Sequence, residues 1–175
     1  MERTGARYRS FRSADLAAPP DRFDCRVVAG EEERTLHLAI RRVVFVEEQG
    51  MFDGSDWDRH DEDPATLHVV GFWAGAAAGA VRLYPLDEPG RWKGDRLAVL
   101  SQFRRHGIGA PLVRFAVGTA SGLGGLVMLA QIQPPNVQFF ERLGWYPVGD
   151  PAPYVGRLHQ QMAIGLQPGS PRLDG

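Results

Sequence analysis

The residues of this sequence best suited to chemistry stand together at Arg104-Arg105-His106-Gly107-Ile108-Gly109-Ala110. Glycines one residue apart let a backbone approach a ligand closely, with no Cβ in the way. Arg104, Arg105 and His106 bring charge to the same place, and Arg114 follows about two helical turns on. A helix starting at Gly107 to Gly109 would add free N–H groups and a partial positive charge. Together these make an anion site suited to a pyrophosphate. Two other phosphate motifs are excluded. No Gly-Lys-Ser/Thr is present, so this is not a P-loop, and no Gly-x-Gly-x-x-Gly follows the first strand. Taken alone, Gly-x-Gly fits an Arg-rich loop on an ordinary αβ unit equally well.

Other reactive side chains are scattered along the chain. Glu47 and Glu48 close the first predicted helix, as a solvated helix end or as a base. Tyr154 sits in the loop before the last strand, and His159 begins that strand as a structural residue or a base. Tyr146 reads as packing, and His68, inside a strand, reads equally well as a satisfied core residue. Six acids crowd the stretch from Met51 to Pro64: Asp53, Asp56, Asp58, Asp61, Glu62 and Asp63. The ligand order of a calcium loop is missing, so a solvated loop is expected and no metal site. Cys25 is the only cysteine and cannot form an internal disulfide. Inside Asp24-Cys25-Arg26-Val27-Val28 it reads as a packing residue, in keeping with a reducing cytoplasm.

The elements that would position these residues follow from periodicity. Residues 25–29 form a first strand, and Glu31 to Gln49 an amphipathic helix with Leu36, Ile40, Val43 and Val44 on one face and Arg34, Arg41, Arg42 and Glu48 elsewhere. Glu31, Glu32 and Glu33 favour its positive end, and Gly50 stops it. Thr66 to Trp73 and Ala76 to Tyr84 form a hairpin around Ala74-Gly75. Arg96 to Leu100 is a short buried strand, Ile108 to Ala120 a second helix, and Leu126 to Ile132 a strongly apolar strand. Pro134-Pro135 opens a third helix ending at Gly144, and strands at Trp145 to Val148 and His159 to Leu166 complete the chain. Strand–helix–strand–helix in the middle implies one parallel pair with a crossover, flanked by antiparallel hairpins. This is an α/β (α+β) domain over 21–167, with a flexible N-terminal segment at 1–20 and a flexible tail at 168–175 expected.

In this order the nucleotide-binding stretch resembles the acetyl-coenzyme A motif of the GNAT (GCN5-related) N-acetyltransferase superfamily, Arg/Gln-x-x-Gly-x-Gly/Ala, here preceded by Leu97-Ala98-Val99. Phe139-Phe140-Glu141-Arg142-Leu143-Gly144-Trp145 resembles the family's Phe-Tyr-Glu-x-x-Gly-Phe, and Arg42 to Gln49 resembles the first helix of a branch similar to acyl-homoserine lactone synthases. The chain is also similar to a bacterial GNAT subfamily associated with nitrogen-starvation gene clusters. The resemblance spans about Val27 to Leu166 and implies an acyl-CoA N-acyltransferase fold. That fold is a mixed, mostly antiparallel sheet with a splayed central parallel pair and helices on both faces. It also implies that the backbone of Leu97, Ala98 and Val99 pairs with pantetheine. Amides from Arg104 to Ala110, Ile108 among them, would hold the pyrophosphate. Gln133 stands where many relatives have an Asn against pantetheine, with Asn136 a second candidate.

The implied activity is direct transfer of an acetyl group from acetyl-CoA to the amine of a small molecule, in a ternary complex. The amine must lose a proton, the thioester oxygen needs a donor such as the Val99 or Leu100 N–H, and the thiolate needs a proton source. Relatives place a tyrosine at the second aromatic of Phe-Tyr-Glu; this chain has Phe140, which has no proton to give. Glu48, Tyr154 and His159 are the candidate replacements on the acceptor side, and the acidic loop would draw in a cationic acceptor. Loss of the tyrosine equally suits a non-catalytic acyl-CoA sensor, and the first helix suits an acyl-homoserine-lactone-synthase-like enzyme. Twenty Lys and Arg against 21 Asp and Glu give a net charge of −1, which speaks against a nucleic-acid partner. No run of 18 apolar residues is present, so no membrane span or membrane partner is expected. The first 13 residues lack the apolar core of a secretory signal. The exposed strands leave room for a homodimer.

Overall fold

A computed structural model describes residues 22–167, so the flexible segments expected at either end lie outside the described residues. The strands are β1 (Phe23–Val27), β2 (Leu67–Trp73), β3 (Ala76–Pro85), β4 (Arg91–Val99), β5 (Val127–Ile132), β6 (Tyr146–Pro147), β7 (Ala152–Tyr154) and β8 (Arg157–Gly165). They lie in one sheet in the order β1-β2-β3-β4-β5-β8-β6, with β7 also on β8. Every pairing is antiparallel except β4 with β5. That parallel pairing covers only Arg91↔Val127, Trp92↔Met128 and Lys93↔Leu129. Beyond Lys93, β4 stays with β3 and β5 stays with β8 as far as Ile132, so the sheet forks.

Helices cover both faces, because the strands alternate apolar side chains between them. Helix α1 (Glu31–Arg41) and the π-helical turn that extends it (Arg42–Glu48) pack Ile40, Val44 and Phe45 on Val70, Phe72, Ala80 and Ala98. Helix α2 (Gly109–Gly122) packs Leu112, Val113 and Ala116 on Val69, Val81 and Leu83 from the other side. The Ala- and Gly-rich start of β3 makes that close approach feasible. A Cβ on Gly79 would lie 2.6 Å from Leu112 and 2.9 Å from the Ala98 carbonyl. Helix α3 (Val137–Arg142) adds Phe139 and Phe140 to the α2 side of the core.

Four expectations change. The first helix is not one uniform α-helix: past Arg41 it widens, and the Gln49 amide donates to the Val44 carbonyl five residues back. Arg41, placed by periodicity on the outer side, is fully buried together with His37. Strand β4 begins at Arg91, five residues before the strand predicted at Arg96, because Lys93 and Asp95 disguise a run that the sheet buries on one side. The acidic stretch is not simply a solvated loop, since Asp56 and Asp61 are buried at 5 % and 1 % exposure.

Those acids belong to a network between α1 and the sheet. Asp61 accepts from Arg41 at 2.5 and 3.0 Å and pairs with Arg82 at 2.8 Å. Asp56 accepts from Arg41 at 2.8 Å and from Arg96 at 3.1 Å. Arg82 also reaches both oxygens of Asp58 and of Asp95 at 2.7–2.8 Å. Burial alone would raise the Asp61 pKa, but the hydrogen bonds and charge of Arg41 hold it well below the usual carboxylate range. Three of the loop's six acids are thus neutralised by arginines, and only Asp53, Glu62 and Asp63 remain exposed to attract a cation.

Candidate active site

The fork in the sheet is where site residues gather. Strand β4 carries a one-residue bulge, since Ala80 pairs with Ala98 but Arg82 pairs with Asp95. Arg96 at the bulge has φ of +53°, a left-handed conformation that costs a non-glycine residue about 1–3 kcal/mol. The network holds it there: its guanidinium bonds Asp56 and Asp58 and lies 4.7 Å over the Phe52 ring. Past the bulge, the Leu100 amide donates to the Ala78 carbonyl at 3.0 Å, so it is not the oxyanion donor expected of it. By antiparallel alternation Ala98 is turned towards β3 as well, whereas the Val99 amide faces the fork. The open edge of β4 is therefore presented at Val99 and, across the bulge, at Leu97.

From that edge a cleft of about 840 Å³ runs between the end of the first helix and the start of α2, lined by Glu48, Gln49, Leu97, Val99, Arg104, Gly107, Gly109, Asn136 and Phe140. A short 3₁₀ turn (Ser101–His106) leads into α2 and ends at Gly107, whose φ is +69°. Nothing lies within 4 Å of the Cβ position of Gly107, so the turn opens onto free space. Arg104 spans the cleft mouth, donating to the Val99 carbonyl at 2.9 Å and to the Glu48 carboxylate. Arg105 is exposed, His106 stacks on Trp73 at 4.4 Å, and Ile108 is buried in the core, which leaves only its backbone for a ligand. Ala110 lies in the first turn of α2.

A smaller cavity of about 100 Å³ continues from the cleft on the α1 face, sharing Leu97, Asn136 and Phe140 with it and adding Phe45, Met51, Phe52, Arg96, Gln131, Tyr154 and His159. Phe140 is buried edge-on to Phe139 and Trp145, at 5.3 Å from each, and stands where the two spaces meet. Tyr154 and His159 come together, their rings 5.3 Å apart. Glu48 does not join them; it lies on the larger cleft, tied to Arg104. Gln133 donates its amide to the Gln49 side chain at 3.1 Å, bridging the first helix to the end of β5. The His159 Nδ1–H donates to the Arg157 carbonyl at 2.9 Å, so Nε2 carries the lone pair.

Sequence reasoning missed Phe52, Met51 and Arg96 as residues lining the smaller cavity. Arg96 had a signal, a charge next to Leu97-Ala98-Val99 in a buried strand. Phe52 and Met51 had none, since only the widened helix end brings their loop over the fork. His68 is buried with its Nδ1 at 3.2 Å from the His37 Nε2, away from the cleft. Burial and the Asp24 charge push the Cys25 thiol up to about 12, which makes it inert. Among the described residues no group of three metal-ligating side chains converges. No helix there is long and apolar enough to cross a membrane.

The forked sheet thus carries a glycine turn beside one cleft and a histidine–tyrosine pair lining the smaller cavity. The acetyltransferase (GNAT) family profile matches residues 33–145, and the chain belongs to that family. A candidate acetyltransferase of Bacillus subtilis (strain 168) is 28% identical over 118 residues, covering 65% of this chain and 78% of that protein. Solved structures share the fold at lower identity. A candidate N-acetyltransferase from Lactobacillus plantarum aligns with a TM-score of 0.74 at 21% identity, over 83% of this chain and 99% of that one. An aminoglycoside 6'-N-acetyltransferase complexed with coenzyme A gives 0.68 at 17%, over 86% and 99%. BjaI, a CoA-dependent acyl-homoserine lactone synthase solved with SAM and isopentyl-CoA, gives 0.66 at 18%, over 78% and 77%.

Proposed function

We propose that this protein transfers an acetyl group from acetyl-CoA to the amine of a small molecule, by direct attack in a ternary complex. The observation that carries the reading is the continuity of the two spaces through Leu97, Asn136 and Phe140. A long groove suited to a coenzyme and a short pocket suited to an amine on either side of one point support the reading. The pyrophosphate sits on amides of the turn from Arg104 to Ala110, with Gly107 leaving room for it. Pantetheine lies along the edge of β4 at Leu97 and Val99, as an added strand would, with Gln133 and Asn136 on its far side. The narrower grouping its motifs resemble is the bacterial subfamily of nitrogen-starvation gene clusters.

The chemistry then follows from the polar groups present. The amine gives a proton to the His159 Nε2, and its nitrogen attacks the thioester carbon. The Val99 N–H meets the oxygen as it gains negative charge. The carbon–sulfur bond breaks as the amide forms, and the thiolate takes up one proton from the Tyr154 hydroxyl, in place of the absent tyrosine at Phe140. The proton that His159 took from the amine restores that hydroxyl and leaves His159 neutral. The products are one amide and one free coenzyme A thiol, with no net oxidation. A thiol-release assay of the full chain with acetyl-CoA against a broad amine panel tests this; at least one primary amine is expected to raise release above the hydrolytic background. Phe140 favours one rival, an acyl-CoA sensor, and saturable coenzyme binding with no turnover on any amine would establish it. Lactone formation from S-adenosylmethionine would instead support the synthase reading.

A further inference from the structure

Beyond Tyr154, on the same face of the sheet as the smaller cavity, lies a third space of about 650 Å³, lined by His60, Tyr84, Lys93, Leu129, Tyr154 and Gln161 among others. Tyr154 lines both and so stands between them. Lys93 occupies the base of the fork. It is the last residue of β4 paired with β5, opposite Leu129. Its ammonium lies 5.5 Å over the Tyr154 ring and makes no ion pair among the described residues.

Every other cation facing the acceptor side from inside the fold is matched. Arg82 and Arg96 are held by Asp56, Asp58 and Asp95. Asp95, the nearest acid on the same strand, already takes Arg82 at 2.7 Å and Arg96 at 3.8 Å. The rim residues Arg59, Asp63 and Asp87 carry both signs and are exposed, so they bias the groove little. The inner wall carries the Lys93 ammonium beside Tyr154 and Gln161, with the acids Asp63 and Asp87 at the exposed rim. Burial lowers the Lys93 pKa, and the charge of Asp95, which already holds Arg82, offsets this only in part. An anion arriving next to it would relieve that penalty.

We infer that the acceptor is an amine that also carries a carboxylate, with the carboxylate held by Lys93 at the base of the fork and the amine beyond Tyr154, facing His159. This rests on the transfer reading above and narrows it to amino acids and related amino-carboxylates. Lys93 is then a specificity residue, distant from the reacting atoms.

The test uses the full chain in the thiol-release assay with matched pairs: amino acids of increasing amine-to-carboxylate separation, from phenylalanine and glycine to 6-aminohexanoate, against their carboxamides. The carboxylate member of the best pair is expected to exceed its amide by at least about tenfold in kcat/KM, the size of one charged hydrogen bond. Lys93→Met should remove that preference through KM and leave the amide substrate within about threefold, while Lys93→Arg retains it. A native enzyme that favours amides, or a Lys93→Met loss equal on both members, overturns the inference. A second readout separates it from the transfer reading. Calorimetric binding of the N-acetyl amino acid to the coenzyme A-loaded protein should weaken about tenfold or more in Lys93→Met. Binding that depends on Lys93 without turnover of any amine would refute transfer and uphold the carboxylate site. Turnover of amines with binding indifferent to Lys93 would do the reverse.

Discussion

The proposed role of His159 as a base depends on the tautomer that the protein fixes. With Nδ1–H committed to the Arg157 carbonyl, the remaining lone pair is on Nε2, and the ring is 3 % exposed beside Tyr154. A buried ring held at both edges changes little in orientation between free and loaded protein, which is what proton transfer at a set point requires. Replacing it by His159→Gln keeps a polar group of similar reach and removes the base. The expected result is a fall in kcat of about 10²–10⁴-fold, with acetyl-CoA affinity by calorimetry unchanged. Tyr154→Phe keeps the ring against His159 and Lys93 and removes only the hydroxyl, so a smaller loss of kcat, about tenfold, is expected if it supplies the thiolate's proton. A Tyr154→Phe protein with full kcat would assign that proton to solvent.

Two elements decide whether these side chains meet a thioester at all. The turn into α2 works through its backbone, and Gly107 is where that backbone adopts a left-handed conformation facing open space. Gly107→Ala adds only the cost of a Cβ at positive φ, about 1–2 kcal/mol of stability. Gly107→Glu adds a negative charge where a diphosphate would lie, and is expected to weaken acetyl-CoA binding at least tenfold beyond the alanine variant, about 1.4 kcal/mol, in a calorimetric titration. Equal binding by the two variants would place the diphosphate elsewhere. The second element is the β4 bulge, kept in its costly conformation by the arginine–aspartate network. Asp61 takes hydrogen bonds from Arg41 and from the Asp58 amide and pairs with Arg82, so Asp61→Ala removes one of the two carboxylates that hold the buried Arg41 and one of the three that hold the buried Arg82. A loss of about 3–5 kcal/mol in chemical denaturation is expected. Refolding without that loss would reduce the network to a surface feature.

For the whole molecule the same network sets an acid limit. Burial, followed by the charge of Arg41, lowers the His37 pKa from the usual 6.5 to about 3, and burial lowers His68 to about 4. Both stay neutral in the folded chain and take up protons near 6.5 only when it unfolds. Unfolding therefore binds more protons below pH 6.5, and stability falls as pH drops from there, by about 1.4 kcal/mol per pH unit for each fully buried histidine. Asp58 and Asp61, held low by their arginines, act in the same direction further down, where the unfolded carboxylates protonate near 3.8 and the folded ones resist. Thermal melts should show a plateau above pH 7 and a steady decline between pH 6.5 and 4, and His68→Phe should flatten the upper part of that decline. A melting temperature that does not move from pH 7.5 to 5 would contradict the neutral histidine pair.

The sequence alone determined the order of the elements apart from β7, where a loop holding Tyr154 was expected, together with the parallel pair and a glycine turn suited to a phosphate-bearing coenzyme. Each of these is a local property. Glycine at a turn and a helix start fix backbone donors within a few residues, and apolar periodicity fixes which side of an element is buried. Arg104 to Ala110 could therefore be read as a unit, and Phe140 could be marked as a missing proton donor from one letter. What only the tertiary structure decided is everything made by residues far apart in the chain. The acids from Asp56 to Asp61 look solvated in sequence because their arginines lie 15 to 40 residues away, on α1, β3 and β4. Lys93 looks like an interruption of a strand until the fork shows what faces it. Glu48 could not be separated from His159 and Tyr154 as a candidate base, because only the fold sends it to the coenzyme side. Charge satisfaction and shared cavities depend on distance in space, and spacing along the chain carries no measure of it.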